Sequence, residues 1–442
     1  MSRRATGLPV YAKTFGREQA ERLLWRAGFG PRRDEAAKLA KLGVQQAVLS
    51  LTQPAAEVLD GPEPKDEKGR PIAPIDARGH DHLWWLDRMV RSNRPLVERM
   101  TLVWHDWFAT STVGVKSQQL MLNQNALFRA GGLGSFRELL LNVTKDPAML
   151  VWLSGFKNTK RSPNENYGRE LMELFTLGAN RGYTESDVRE QARALTGWRA
   201  RRNKAQGFYD FRYDTGQHDD GVKTIFGQSG NFDWQDACRL CLEHRDHPAF
   251  LVRKLWSYFI PTGPGPKARA GLEALYRADF QVRPVVEAIL MHPDLYNGPR
   301  MVKPPAVYTA GLLRAMDRGV DTSLWWRLAA LSGQRLFYPP NVAGWDDSRW
   351  LDTSTWRGRW FTAMLALEPY RDGTGSTNDP KKLVERARIF WGGPALTPET
   401  SKVLLAFARA ALPQARKYSN PPAIVEGCLR QLIALSPDYQ TS

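Results

Sequence analysis

The chain of 442 residues contains only three cysteines, Cys238, Cys241 and Cys428. That is too few for a disulfide framework, so the fold must rest on a buried core, which a chain of this length can supply. No apolar run approaches the ~18 residues that a spanning helix needs, which excludes an integral helical membrane protein. Several catalytic signatures are missing as well. There is no phosphate-cradling loop of the Gly-x4-Gly-Lys-Ser/Thr type, no dinucleotide fingerprint after a strand, and no Gly-x-Ser-x-Gly nucleophile elbow. ATP-driven chemistry, nicotinamide redox chemistry and ordinary serine hydrolysis therefore have no positive support. Acidic residues also run short: 46 Asp and Glu stand against 62 Lys and Arg, for a net charge of +16. A basic surface of this kind attracts an acidic partner or polymer. The basic residues are mostly dispersed, with short clusters at Lys157–Arg161 and Arg199–Lys204. Zinc-finger spacing, an aromatic strand signature and leucine heptads are all lacking, so specific nucleic-acid binding gains no support.

Ser2, Arg3 and Arg4 are similar to the start of a twin-arginine export signal, which requires an apolar stretch of ~7–15 residues after it. The one candidate, Leu8–Ala12, is interrupted by Pro9 and followed by Lys13. Without that stretch the expectation is cytoplasmic residence.

What is present reads as a globular, mainly α protein. Hydrophobic residues make up 42% and charged residues 24% of the chain, which are ordinary proportions for a folded domain. Apolar spacing is helical over Gln19–Gly28, Asp34–Leu51, His82–Val90, Leu96–Phe108, Lys116–Phe128 and Gly134–Asn142, then again from Pro163 onward. One stretch differs. Phe208–Tyr213 alternates aromatic and polar residues, and Val222–Phe226 is a second short β-branched run across a turn-rich loop, Asp214–Gly221. These features predict a large multi-helix body with a small inserted β-hairpin at residues 207–227. A main domain is expected over residues 1–371, with a Pro-, Gly- and charge-rich surface loop at 53–79. Residues 372–381 read as a linker or exposed loop, and 382–442 as a C-terminal helical subdomain. There Thr397 before Pro398 is a strong cap signal.

The segment Pro163–Gly178, PNENYGRELMELFTLG, carries the densest chemistry. Ser162 and Glu165 have capping-box spacing, and Gly178 is a natural stop. Asn166, Arg169, Glu170 and Glu173 share one helical face. Thr184 and Asp187 make a second capping box directly afterwards. Glu170 and Glu173, with Glu190, could surround a polar pocket that holds a divalent metal or runs acid–base chemistry. The plainer reading is capping by Glu165 and an ion pair between Arg169 and Glu173. A ferritin-like di-metal site would need Glu-x-x-His, and this helix lacks the histidine. His105 sits amid an apolar helical pattern, where a lone histidine is usually a hydrogen-bonded core residue. His218 and Asp219 fall in the loop between the two β runs. Cys238, Cys241, His244 and His247 resemble zinc ligands in type. Spaced by three on one helix, they drift about 60° per step and do not converge on one ion.

At these residues the chain resembles a large bacterial family catalogued as domain of unknown function 1800. Besides Pro163–Gly178, the matching segments are Arg22–Pro31, Trp104–Ser111, Asp146–Leu150, Tyr183–Val188, Ala194–Trp198, His218-Asp219 with Lys223-Thr224, and Phe337–Trp345. They run in the family's order over roughly residues 18–365. The resemblance carries over no established activity. It implies a neighbouring alkaline-phosphatase-like or sulfatase-like partner, and an exported or envelope-associated location against the cytoplasmic expectation above. Members also often show a second histidine in the Trp104–Phe108 motif, where this chain has Trp107.

Two function classes follow. In an enzyme, Glu170 and Glu173 act as metal ligands or general base. His105 is then a third metal ligand or proton donor, with His218 in the same role. Asn164, Asn166, Arg169, His218 and Asp219 bind an anionic substrate. In a non-enzymatic scaffold the same residues fix helix register, and the basic surface docks an acidic partner.

Overall fold

The computed structural model describes residues 7–204 and 207–442; Ser2, Arg3 and Arg4 lie outside them. The architecture is mainly α, with 23 α-helices and two small two-stranded antiparallel sheets among the described residues. No helix among them is long and apolar enough to cross a membrane.

The β insertion is present, but its strands pair differently from the expected hairpin. Strand β1 (Trp198–Asn203) pairs with β2 (Gly207–Tyr213), and β3 (Lys223–Ile225) with β4 (Gln228–Gly230). In sequence, Arg199, Arg201 and Arg202 look like a solvated basic cluster rather than a strand. A two-stranded ribbon is all edge, and charged residues suit it.

The chain forms two compact units. The first comprises residues 1–10, 100–292 and 337–345, and the second residues 11–99, 293–336 and 346–442. In the first, an aromatic core holds the helices: Phe108 lies 5.0 Å from Phe175 and 6.1 Å from Phe136 by ring centroids. Trp104 donates its indole N–H to the Gly132 carbonyl at 2.8 Å, so this buried ring keeps its polar edge satisfied.

In the second unit Trp25 plays the corresponding part. A Cβ at Gly311 would lie 2.2 Å from the Trp25 ring, and one at Gly30 2.6 Å, so both positions need glycine for the ring to fit. Helix starts follow local capping chemistry. Thr397 caps Pro398–Gln414 with Pro398 in the first turn, as expected, and Asp352 caps Thr353–Leu367 by accepting from Ser354 and Thr355.

Candidate functional site

The helix of the Pro163–Gly178 segment begins two residues later than its capping-box spacing suggested. Asn164, not Ser162, is the N-cap of helix Glu165–Glu170, and its side chain accepts from the Asn166 N–H at 3.0 Å. The Asn158 side chain in turn accepts from the Asn164 N–H at 2.8 Å. The helix then widens into a π turn over Leu171–Thr176, where the Leu177 N–H reaches back five residues to the Met172 carbonyl at 2.7 Å. Such turns are rare and recur at functional sites.

The widened end leaves three carbonyls for side chains to take. Leu174 accepts from Lys254 Nζ at 3.1 Å, Phe175 from the Trp107 indole at 3.1 Å, and Thr176 from His247 Nδ1 at 2.8 Å. His247 must carry its proton on Nδ1 to do this, and Nε2 then accepts from the Tyr276 hydroxyl at 2.7 Å. Burial holds His247 neutral, with its pKa lowered to about 4.

Three of the recognisable segments meet here. Asp106, from Trp104–Ser111, accepts from the Tyr258 hydroxyl at 2.7 Å and from the Trp345 backbone N–H at 2.8 Å. Trp345 closes the Phe337–Trp345 segment. Its neighbour Gly344 is essential to the approach, since a Cβ there would stand 2.3 Å from an Asp106 carboxylate oxygen. Lys254 lies 4.5 Å from the Trp107 ring centroid. Burial lowers its pKa to about 8, with the Asp106 charge opposing that shift. Lys254 and Tyr258 were not singled out from the sequence. Their spacing of four on helix His247–Ser257 and its C-cap was the only available signal.

His105 does not join this polar cluster. Its ring is fully buried against Phe128, Phe337 and Trp345, with centroids 6.3, 5.6 and 5.6 Å away. Desolvation lowers its pKa to about 3, so it is a neutral core residue at physiological pH.

Arg169 pairs with Glu165 at 3.2 Å and Glu185 at 2.7 Å, rather than with Glu173. The π turn displaces Glu173 from regular α spacing, while the capped start of the next helix brings Glu185 within reach. Asn166 donates to the Leu153 carbonyl at 3.3 Å. Asp219 receives a two-pronged contact from Arg193 at 2.7 and 3.1 Å, and Arg193 also holds Glu190 at 2.9 Å. His218 lies 3.0 Å from the Thr196 carbonyl.

Glu170 and Glu173 differ from these. Both are half-buried, and neither makes a hydrogen bond or ion pair among the described residues. Burial raises the Glu170 pKa, and the Glu173 charge raises it further.

Cys238, Cys241, His244 and His247 each find separate partners. Cys238 contacts the Thr144 hydroxyl at 3.2 Å, Cys241 accepts from Gln191 at 3.1 Å, and His244 lies 3.2 Å from the Gly182 carbonyl. Burial pushes the Cys238 thiol up to about 12. Among the described residues no three His, Cys, Asp or Glu side chains are grouped to hold a metal ion.

The chain belongs to the DUF1800 family, described as a protein of unknown function, whose model matches residues 22–441. The match runs well past the Phe337–Trp345 segment and through the C-terminal helices. No curated protein and no solved structure matches the chain.

Proposed function

For this member of the DUF1800 family we propose a non-enzymatic role, as a helical scaffold whose basic surface docks an acidic partner or polymer. One observation carries the reading: several polar side chains of the recognisable segments are already held by partners within the protein. Asp106 is held by Tyr258 and Trp345, Arg169 by Glu165 and Glu185, and Asp219 by Arg193. Groups committed in this way fix helix ends and loops, leaving the net charge of +16 to recruit a partner. Titration with polyglutamate at low and high salt tests it. Saturable binding that weakens steeply between about 50 and 200 mM salt is expected, by analogy with counterion release. Lack of saturation at low salt would reject the role.

A second reading is favoured by Glu170 and Glu173 alone. Two adjacent half-buried carboxylates without hydrogen-bonded partners are suited to hold a divalent metal ion or act as a general base, in a hydrolase or an oxidoreductase. The test is the metal content of purified protein, measured beside Glu170→Ala and Glu173→Ala. Near-stoichiometric metal lost from both variants supports this reading, and no metal in any sample rejects its metal form.

A further inference from the structure

A cavity of about 270 Å³ lies within the second unit, beside the end of the Arg22–Pro31 segment, and its wall is crowded with cations. Arg17, Arg32, Arg33 and Arg388 line it, against one carboxylate, Asp34. Its volume sits just below the ~300–1,000 Å³ usual for small-molecule sites.

Two of the four guanidinium groups are fixed. Arg388 grips Glu385 through Nε and Nη2 at 2.8 and 2.7 Å, while Nη1 donates to the Gly393 carbonyl at 2.9 Å. Arg32 donates to the carbonyls of Val90 and Arg91 at 2.9 and 2.8 Å and meets Asp60 at 3.3 Å. Arg17 and Arg33 are exposed and make no hydrogen bond or ion pair among the described residues.

The backbone also brings like charges together. Helix Pro380–Phe390 ends in Gly392 and Gly393, both in the left-handed region with φ of 80° and 72°. A Cβ on Gly393 would lie 3.1 Å from both terminal nitrogens of Arg17 and 3.3 Å from Nη1 of Arg388. Two guanidinium groups thus meet over one glycine, with the Glu21 charge acting on both, and a further anion between them would meet two donors at once. Beside the arginines the wall is apolar, with Ala36, Ala37, Ile389 and Phe390.

We infer that this cavity binds the phosphate group of a small phosphorylated organic molecule, with the arginines on the phosphate and the apolar wall on its carbon skeleton. A planar guanidinium fork matches two phosphate oxygens at once, which suits Arg17 and Arg33 to close on a ligand that Arg32 and Arg388 have pre-positioned charge to receive. The site goes beyond the scaffold reading, since it calls for a compact ligand in one place rather than a polymer on a surface.

Calorimetric titration of the full chain with glycerol 3-phosphate, inorganic phosphate and glycerol tests the inference. One-to-one binding of glycerol 3-phosphate is expected, with weaker binding of inorganic phosphate and none of glycerol. Arg17→Gln and Arg33→Gln should each weaken it about tenfold, the equivalent of one lost charged hydrogen bond. Lys160→Gln, which removes an exposed cation from the first unit, should leave it unchanged. Unaltered affinity in both arginine variants, or equal weakening by Lys160→Gln, would overturn the site. Equal affinity for inorganic phosphate would overturn its organic half. Polyglutamate binding retained alongside lost glycerol 3-phosphate binding would keep the two proposals apart.

Discussion

Charged side chains are compensated differently in parts of the two units. In the first, charged side chains of the recognisable segments face opposite charges: Arg193 sits between Glu190 and Asp219, and Arg169 between Glu165 and Glu185. In the second, buried Arg430 meets Glu426 at 2.6 Å, but two other buried cations rest on carbonyl oxygens. Arg359 donates to the carbonyls of Trp350 and Lys303 at 2.9 and 2.8 Å and to the Gln440 side-chain oxygen at 2.8 Å. Lys303 donates to the Tyr439 carbonyl at 2.6 Å and stands 3.6 Å from the Trp25 ring centroid. An ion pair compensates its own charge, whereas a cation on carbonyls keeps its full charge and depends on many weaker dipoles. The lesson is that a recognisable polar motif need not be the reactive part of a protein. Arg169 and Asp219, in segments that identify the family, are paired, whereas Arg17 and Arg33, which flank one such segment, line a cavity without an ion pair.

The sharpest way to break this comparison is Arg359→Met. Three hydrogen bonds to a buried cation disappear together and leave their acceptors in an apolar interior. A loss of about 4 kcal/mol is expected from the urea midpoint. A change below about 1 kcal/mol would show that the carbonyl cradle adds little. Asp106→Ala is next, at about 3 kcal/mol, because it removes two hydrogen bonds and the negative charge near half-buried Lys254. Here the first unit makes a further demand. If charge compensation matters, Lys254→Met in the same chain should recover part of the loss, so the double variant falls short of the sum. Strict additivity would mean that Asp106 acts through its hydrogen bonds alone.

Much of the fold was legible in the sequence because helical periodicity and caps are local. Thr184 and Asp187 form the capping box that their spacing indicated, and helix Glu185–Ala194 follows. The C-terminal helices begin close to where Pro398 and Pro422 placed them. Strand pairing was less legible. Phe208–Tyr213 showed its alternation, but nothing local says that its partner is the arginine-rich Trp198–Asn203 rather than Val222–Phe226. The π turn was hidden for a related reason: one extra residue in a helical turn leaves the apolar pattern almost intact. Once formed, it decides that Arg169 meets Glu185 and that Lys254 meets Leu174. Of the site residues, composition marked Glu170 and Glu173, whereas Lys254 and Tyr258 depend on contacts between distant segments. His105 was marked by its type, and its aromatic surroundings emerge only from the packing.

The smallest effect concerns a charge that the first unit leaves uncompensated. Asp146 caps helix Pro147–Trp152, accepting from the Met149 N–H at 2.9 Å and from Gln124 at 2.7 Å, with no cation beside it. Burial pushes its pKa up to about 7, against the ordinary carboxylate value near 4. Between those values the folded chain holds a proton that the unfolded chain has released, so this group's contribution to stability declines as pH rises through that window. Buried His105 and His247 act in the opposite sense, because their lowered pKa values make the folded chain bind fewer protons than the unfolded one below about pH 6.5. The two effects oppose each other in wild-type protein, and Asp146→Asn separates them. Asparagine is as good a cap and carries no charge. Relative to wild type, the variant should gain stability steadily as pH rises from 4.5 to 8. A difference that stays flat across that range would mean that Asp146 is ionised throughout, and that the first unit tolerates a buried, unpaired charge much as the second does.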